Sequence, residues 1–323
     1  MELCTAVKGV ALQVIFDRFG AEKAFYFDPD TVAFDRLDEL CDTLESSSIL
    51  LTPHQVEPET SIEAILDNET ASLMYGVFNL GFLGVRNDER GRRFADWWAL
   101  RLLQFCRDDR PAGLFTDQKW VNLAPCFFDG IHVVRSPAFN VATWNITTRE
   151  VAGDFEQGFT VNGESLGFYH FSGFDSGDQA LMLGKYGADN PALAELRAWY
   201  IRECEQQGQE SLGNRPSIYH CYRSGDVISA AQRQLYRERI DLQQAFPDPF
   251  DTERPDGGYL AWYGANAAPD ADGPADRPPA EVFAEFCQWL DGRAALATSA
   301  PRRWALQALR RFLKSASFVF ARR

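Results

Sequence analysis

The sequence predicts an α/β fold in which helices cover a mainly parallel sheet. Three observations support this: short apolar runs that stop at turn residues, segments of helical period between them, and a composition with 46% hydrophobic and 13% aromatic residues, typical of a packed chain. Strands buried on both faces read as continuous apolar runs, and helices alternating with such strands form layered domains. The 323 residues allow one large or two modest domains.

The first third of the chain alternates between the two kinds of segment. Apolar spacing predicts a helix over residues 5–20, and Gly20 is a typical C-terminal cap. The elements predicted next are a strand at 24–27, a helix over 37–44, a buried strand at 49–51, a strand over 76–85 and an amphipathic helix over 89–105. The predicted order therefore contains three pairs of a helix next to a strand.

A β-hairpin is predicted where Asn162-Gly163 separates two β-prone runs within residues 158–170. Further on, residues 264–280 contain four prolines and no large apolar side chain, which indicates a linker. We therefore predict a main domain over 1–263, a linker over 264–280 and a basic amphipathic helical tail over 281–323.

Charge is unevenly distributed along the chain. The whole chain carries −14 at pH 7, but residues 1–291 carry −22 and the last 32 residues carry +8. A body of that sign repels phosphate backbones, so nucleic acid is excluded as an expected partner. The basic tail at 301–323 has two interpretations: peripheral contact with an anionic membrane surface, or a helix docked on the acidic body.

The seven cysteines favour a reducing compartment. Their number is odd, they are scattered, and none forms a Cys-x-x-Cys pair, so neither a disulfide framework nor a zinc ribbon is indicated. The first residues lack the basic and apolar regions of an export signal, and no apolar run is long enough to span a membrane. We expect a cytoplasmic protein, with possible contact to the inner membrane face through 301–323.

Asp28-Pro29-Asp30 follows the apolar strand at 24–27 and is the strongest local motif. Two carboxylates one residue apart at a strand end can chelate a divalent cation that neutralises phosphates. Simple turn or capping chemistry explains the same residues. A third interpretation is a haloacid-dehalogenase-type phosphatase, in which Asp28 is the nucleophile and Asp30 the acid/base, although the downstream lysine and acidic cluster of that family are not evident.

Three further polar motifs follow in order: Asn79 in Asn79-Leu80-Gly81-Phe82, Asp117-Gln118 after a Gly/Phe turn, and His170 in a Phe-Tyr-His-Phe-Ser-Gly run. Together with Asp28-Pro29-Asp30, this series resembles glycosyltransferases of the GT-A type. The similarity is to glycogenin-like, family-eight-like retaining enzymes and related bacterial polysaccharide transferases, and it covers about residues 2–175. It implies a GT-A layered sheet with the hairpin as an excursion.

The resemblance also implies roles for individual residues. Asp28, Asp30 and His170 become ligands of Mn²⁺ or Mg²⁺, Asn79 a contact of the donor sugar, and Asp117 and Gln118 catalytic residues beside the reacting carbon. Lys8 occupies the place of an arginine that reaches the donor in related enzymes, and an exposed helix cation is its other interpretation. Each of the other motifs has a structural interpretation too: a hairpin histidine, a polar residue at a bulge, and a helix N-cap.

The implied function is transfer of a sugar from a nucleotide-diphosphate donor to a glycan or lipid-linked saccharide acceptor, with retention. Two features depart from the family pattern. The Lys-Pro-Trp phosphate clamp is replaced by Phe174-Asp175-Ser176, and only 27 residues precede Asp28, so the N-terminal nucleotide-binding strands are expected to be missing. The alternative is therefore a non-catalytic, truncated glycan-binding remnant.

Overall fold

The computed structural model describes residues 2–213 and 215–266. These residues belong to two compact units, and the boundary between the units in the sequence follows residue 213. The predicted tail over 281–323 lies outside the described residues, and so does most of the predicted linker over 264–280.

The first unit is a mixed α/β structure, as predicted. Its strands are β1 (Lys23–Phe27), β2 (Thr31–Ala33), β3 (Ile49–Pro53), β4 (Phe78–Arg86), β5 (Asp108–Asp109), β6 (Leu114–Phe115), β7 (Ile131–Val133), β8 (Val151–Asp154), β9 (Gly158–Val161), β10 (Glu164–Ser165) and β11 (Phe168–His170). Its helices are α1 (Glu2–Ala6), α2 (Lys8–Phe19), α3 (Asp38–Ser46), α4 (Ile62–Ala64), α5 (Thr70–Tyr75), α6 (Glu89–Phe105), α7 (Gln118–Val121), α8 (Ala124–Phe127), α9 (Asp178–Tyr186), α10 (Pro191–Gln206) and α11 (Gln209–Gly213). A π-helical turn, Ile65–Glu69, joins α4 to α5, and a 3-10 turn, Arg110–Ala112, precedes β6.

Local sequence signals explain where the main elements begin and end. Helix α2 ends at Gly20, which adopts the left-handed conformation with φ of 62°. Asp88 is the N-cap of helix α6, and its side chain accepts a hydrogen bond from the backbone N–H of Gly91. The helices and strands predicted between residues 5 and 105 are confirmed with small shifts at their ends, except that the helix predicted over 5–20 is divided between α1 and α2.

The expectation of a mainly parallel sheet was wrong. The central sheet has the strand order β1-β4-β3-β7, and only the β3–β7 pair is parallel. A parallel pair needs a long, usually helical connection, but a helical connection does not force the next strand to run parallel. Strand β4 follows a helical segment and still runs antiparallel to β3.

Helices and loops cover both faces of the central sheet, which explains its continuous apolar strands. Ile49 and Leu51 of β3 pack into a core with α2 and α6, whereas Leu50 points into a second core on the opposite face with α3. Burial on both sides, rather than strand direction, produced the apolar run.

The predicted hairpin excursion is confirmed. β9 and β10 pair through Asn162 and Gly163, which both have positive φ, at 51° and 85°. β8 joins them to make a three-stranded sheet, while β11 leaves it and pairs with β2. Phe168 and Tyr169 of β11 pack into two different cores, so this strand is fixed from both sides.

The described residues of the second unit, 215–266, include three helices: α12 (Ala230–Glu238), α13 (Ile240–Ala245) and α14 (Gly258–Asn266). Tyr222, Ile228, Leu242, Phe246 and Tyr259 form its core. α14 continues three residues into the stretch predicted as linker.

In the part of the chain that the structure describes, no helix combines the length and the apolar character needed to cross a membrane.

Candidate metal centre

Asp28, Asp30 and His170 come together at the ends of three strands in the first unit. One ligand atom from each side chain lies within 4.8 Å of the others, and His170 Nε2 is 3.1 Å from Asp30 Oδ1. His170 is buried, whereas each aspartate side chain is 28% exposed, so the cluster is open on the carboxylate side.

Backbone hydrogen bonds hold the Asp-Pro-Asp turn in place. The N–H of Asp28 donates to the carbonyl of Gly81 on β4 at 2.9 Å, and the N–H of Phe171 donates to the carbonyl of Asp30 at 2.7 Å. Thr31 N–H donates back to Asp28 at 3.0 Å, which closes a turn with proline at its second position. Because β2 pairs with β11, Thr31 lies opposite His170, and this register brings the histidine to the turn.

An irregularity in β4 makes room for the histidine. Leu51 of β3 pairs with Leu83, but the next residue, Thr52, pairs with Asn79, so the three residues between them on β4 have no β3 partner. Gly81 lies in this bulge, and a Cβ atom there would be 2.3 Å from His170 Cε1. His170 therefore reaches the cluster only because residue 81 has no side chain.

Asn79 fixes the orientation of the His170 ring. The backbone N–H of Gly81 donates to Asn79 Oδ1 at 3.0 Å, so this atom is the carbonyl oxygen of the amide. His170 Nδ1 lies 3.2 Å from the same oxygen and must donate to it. The neutral ring then carries its proton on Nδ1 and has a free lone pair on Nε2, the tautomer that a metal ligand needs.

His54 supports Asn79 from the other side. Asn79 Nδ2 lies 3.3 Å from His54 Nε2, and His54 Nδ1 lies 3.3 Å from the Val77 carbonyl. Burial lowers the pKa of His54 to about 4, so the ring is neutral at pH 7. A neutral His54 accepts from the Asn79 amide through Nε2 and donates to Val77 through Nδ1, which satisfies both contacts.

Gln118 ties the bulge of β4 to helix α7. Its Oε1 accepts the N–H of Leu80 at 3.0 Å and lies 3.5 Å from Asn79 Nδ2, and its Nε2 donates to the Tyr75 carbonyl at 3.2 Å. The preceding residue, Asp117, is the N-cap of α7, but its side chain makes no capping hydrogen bond. The capping interpretation of the Asp117 side chain was therefore wrong.

Lys8 is the internal counter-ion of the site. Its ammonium lies 2.8 Å from Asp117 Oδ2 and 3.2 Å from Asp28 Oδ1, and it donates to the Leu80 carbonyl at 3.1 Å. Burial acts to lower the pKa of Lys8, but Asp117 and Asp28 outweigh it and raise the pKa above its usual range. With only 6% of Lys8 exposed, the interpretation as a solvent-exposed helix cation was wrong.

The two cluster aspartates have different hydrogen-bond partners. Asp28 Oδ1 accepts from the Tyr26 hydroxyl at 2.5 Å as well as from Lys8. Burial and this hydrogen bond raise the pKa of Tyr26, so the phenol keeps its proton and donates. Burial acts to raise the pKa of Asp30, but the hydrogen bond and positive charge that His170 offers when it is protonated, with smaller contributions from the backbone and Lys8, together outweigh burial and lower the pKa.

These residues fit a hard divalent cation. With His170 neutral, the three carboxylates of Asp28, Asp30 and Asp117 exceed the single ammonium of Lys8 by two charges, which one divalent ion balances. Carboxylate oxygens suit Mg²⁺ and Mn²⁺, and the additional imidazole favours a transition metal such as Mn²⁺. Asp28, Asp30 and His170 would hold the ion, and the identity of the cofactor stays a prediction.

The structure brings all seven predicted residues into one connected network. They are Lys8, Asp28, Asp30, Asn79, Asp117, Gln118 and His170. Their roles toward a substrate stay predictions. Sequence reasoning assigned no role to His54, Tyr26 or Gly81. Gly81 lies inside the motif that begins at Asn79, and Tyr26 precedes Asp28 by two residues and thus shares its strand face, so these two had a usable signal.

Two Bacillus subtilis (strain 168) proteins are similar to this chain. One, described as uncharacterized protein YfnD, is 29% identical over 176 residues, and the other, uncharacterized protein YfnF, is 25% identical over 175 residues. The matches cover 54% of this chain and 54% and 57% of the relatives, so the chain matches only about half of their length. No family model and no solved structure matches.

Proposed function

We propose that this protein is a metal-dependent glycosyltransferase that moves a sugar from a nucleotide-diphosphate donor to a glycan or lipid-linked saccharide. The observation that carries the proposal is the Asp28/Asp30/His170 cluster, in which the hydrogen bond from His170 to Asn79 leaves Nε2 free for a metal ion. The predicted catalytic residues, Asp117 and Gln118, are linked to this cluster through Lys8 and Asn79.

The proposed reaction breaks the bond between the sugar's anomeric carbon and the terminal phosphate oxygen of the donor. A new bond forms between that carbon and an acceptor hydroxyl oxygen, and the hydroxyl proton passes to the departing diphosphate. A divalent ion, when bound, supplies positive charge for the negative charge that develops on this leaving group. Retention of the anomeric configuration is an expectation from the family resemblance alone.

The protein groups around the cluster supply rigidity and charge balance. Both amide atoms of Gln118 are engaged, by Leu80 N–H and the Tyr75 carbonyl, so the side chain is held in one orientation beside Asn79. Lys8 lies between Asp117 and Asp28, neutralises part of the local negative charge and offsets the repulsion between the two carboxylates. Such preorganised groups stabilise developing charge without having to reorient during the reaction.

The imidazole in the cluster favours this proposal over the phosphatase interpretation. The phosphatase family needs a later acidic cluster for Mg²⁺, whereas the third side chain of this cluster is His170. A non-catalytic remnant would share the same fold, so only a functional assay separates it from an enzyme. We place the proposed activity in the cytoplasm, where nucleotide-sugar donors are available.

The test is a calorimetric titration of the full chain with a panel of UDP-, GDP-, ADP- and CDP-hexoses, with and without Mn²⁺. We expect at least one donor to bind only with Mn²⁺ and to be hydrolysed slowly to the nucleoside diphosphate. Binding should be lost in Asp30→Asn and kept in Asp35→Asn, a matched change of an exposed aspartate on the same segment. Donor binding that is independent of Mn²⁺, or that survives Asp30→Asn, would refute the proposal; no binding of any donor would indicate the remnant, which keeps the glycan-facing surface without the donor site.

A further inference from the structure

A cavity of about 260 Å³ in the first unit borders the residues that hold the metal cluster in place. Two of its lining residues make this connection. His54 Nε2 lies 3.3 Å from the Asn79 amide, and the Trp144 ring packs edge-on against the His170 ring, with 5.2 Å between ring centres. The cavity and the cluster therefore share a wall.

The residues predicted to contact the donor do not line this cavity. The described residues that line it include His54, Tyr75 and Trp144 but none of the seven predicted site residues. A larger cavity of about 590 Å³, beside β8 and the start of α10, includes none of them either. No hydrogen bond or ring contact joins the described lining residues of the larger cavity to the network, so the smaller cavity is the better candidate for a second substrate.

The lining of the smaller cavity has the chemistry of a carbohydrate site. Sugar rings offer an apolar C–H face and a rim of hydroxyl groups, which aromatic side chains and carboxylate or amide groups bind respectively. The aromatic and polar lining residues are Tyr75, Trp144, Asp67, Asn68, Ser72 and Asp178. Its volume is slightly below the roughly 300–1,000 Å³ of pockets for drug-sized ligands, which suits one pyranose ring.

Two lining residues carry a buried polar atom that has no hydrogen-bond partner within the described chain. They are Asn68 Oδ1, an acceptor, and Trp144 Nε1, a donor. Buried polar atoms are nearly always paired, and one hydroxyl group can donate to the first and another accept from the second. Both atoms are shielded from solvent in the structure, so binding requires a side-chain adjustment of the kind common on complex formation.

The cavity walls are fixed to each other. Asp67, on the π-helical turn, accepts hydrogen bonds from Lys185 and from the Tyr186 hydroxyl, the latter at 2.8 Å, and both donors lie on α9. π-Helical turns occur frequently at functional sites. The segment that bears Asp67 and Asn68 is therefore held against α9, which supplies Asp178 and Met182 to the opposite wall.

We infer that this cavity binds the acceptor saccharide through one pyranose ring, an assignment that rests on the proposed glycosyltransferase function. The ring lies against Trp144 and Tyr75, and its hydroxyl groups meet Asn68, Ser72 and the carboxylates of Asp67 and Asp178. This position sets the acceptor beside the wall formed by His54 and Trp144, next to the residues assigned to the donor.

The test uses the full chain, Mg²⁺ in place of paramagnetic Mn²⁺, and methyl glycosides of glucose, galactose, mannose and N-acetylglucosamine as probes. Saturation-transfer NMR should detect at least one glycoside in the millimolar range. Ala71→Phe, which fills the cavity, should abolish the signal, and Leu73→Phe, on the exposed face of the same helix, should not. Trp144→Phe, which removes only the indole N–H and part of the ring, should weaken binding about threefold to tenfold, the loss of about one hydrogen bond.

Thermal unfolding shows whether each variant folds. If the Ala71→Phe protein does not fold, glycoside binding by Trp144→Phe decides whether the cavity is the acceptor site. The inference is overturned if no glycoside binds, or if binding is unchanged in a folded Ala71→Phe or Trp144→Phe protein. It is also overturned if Ala71→Phe abolishes binding of the nucleotide-sugar donor, because the cavity would then hold the donor's sugar. If the proposed function is wrong, metal-dependent binding of the nucleotide-sugar donor will be absent. The glycoside measurement is independent of that result and still tests whether the cavity binds a saccharide.

Discussion

Asn79 decides what His170 can do. A histidine beside two carboxylates can be a hydrogen-bond donor to one of them or a metal ligand, and its tautomer separates these roles. The carbonyl of the Asn79 amide accepts from His170 Nδ1, while the amide nitrogen faces neutral His54. The contacts of Asn79 with His170 and with neutral His54 thus favour the His170 tautomer that has no proton on Nε2.

Replacing Asn79 with Leu removes the acceptor for His170 Nδ1. We expect the affinity for Mn²⁺ to fall about 10–100-fold, as is usual when the partner of a metal-bound histidine is lost. Isothermal titration with Mn²⁺ measures the change. Asn122→Leu is the matched control: Asn122 caps the N–H of Val77 near the start of the same strand without touching His170, so its Mn²⁺ affinity should be unchanged. Equal losses in both variants would contradict the role of Asn79.

Lys8 gives a prediction about stability. Lys8→Met leaves the Asp117 carboxylate buried without its counter-ion, which should lower the free energy of unfolding at pH 7 by about 3–5 kcal/mol. The double variant Lys8→Met/Asp117→Asn should regain part of this loss. Urea unfolding of the three proteins is the measurement, and an unaltered midpoint for Lys8→Met would show that the pair contributes nothing.

The same variant should respond to pH in a defined direction. Burial raises the pKa of Asp117, and Lys8 opposes this effect, so removing Lys8 raises the pKa further. A carboxyl group whose folded pKa exceeds its unfolded value destabilises the fold above that unfolded value, and the penalty disappears as the pH falls through both values. The stability deficit of Lys8→Met should therefore shrink from pH 7 toward pH 4; a deficit that grows would contradict the assignment.

At the residue scale, the sequence predicted the members of the site better than their partners. Asp28, Asp30 and His170 were predicted together because the order of the motifs resembles that of GT-A enzymes; only the two strand-end carboxylates carry a chemical signature of their own. The ion pair of Lys8 with Asp117 and the contact of His54 with Asn79 join residues far apart in the chain. No local pattern encodes such contacts, because they depend on how strands and helices pack.

The bulge in β4 is the element on which the site depends most. It interrupts the ladder with β3 directly after Asn79, which still pairs with Thr52, and leaves Gly81 facing His170. Bulges of this kind re-aim side chains next to functional sites. The glycine is essential here for close approach, since its φ is not in the left-handed region.

Gly81→Ala should displace His170 from the cluster. The added Cβ would lie 2.3 Å from the ring, a contact that side chains cannot keep, so we expect loss of Mn²⁺ binding and destabilisation of about 1–3 kcal/mol. Gly184→Ala in helix α9 is the control, because its Cβ would meet nothing within 4 Å and alanine favours the helix. Calorimetry and urea unfolding of both variants give the answer; normal Mn²⁺ affinity in Gly81→Ala would mean that His170 is not a ligand.

The elements themselves were largely predictable, whereas their pairing was not. The period of apolar residues located α6 and β3 because burial of one helix face or of a whole strand is a local property of the sequence. Whether β4 runs parallel or antiparallel to β3 depends on the end of the sheet at which β4 begins, and the intervening helical segment permits both directions. The pairing of β2 with β11 joins segments more than a hundred residues apart and was equally hidden.

At the scale of the whole molecule, the candidate site belongs entirely to the first unit. All seven predicted residues and the cavity beside them lie before residue 214, within a unit that has three apolar cores of its own. We therefore expect a fragment of residues 1–213 to unfold in one cooperative transition and to bind Mn²⁺ as the full chain does. Circular dichroism during urea unfolding, followed by titration with Mn²⁺, tests this; a fragment without a transition would show that the unit is not autonomous.

The central claim is that Asp28, Asp30 and His170 hold a divalent cation. It is tested most directly by electron spin echo envelope modulation of Mn²⁺ bound to the full chain, with ¹⁵N in its four histidines. We predict a ¹⁵N coupling from one directly bound imidazole, which disappears in His170→Gln and remains in His132→Gln, a change on β7. Absence of any such coupling, or a coupling that persists in His170→Gln, would contradict the metal centre and the function proposed from it.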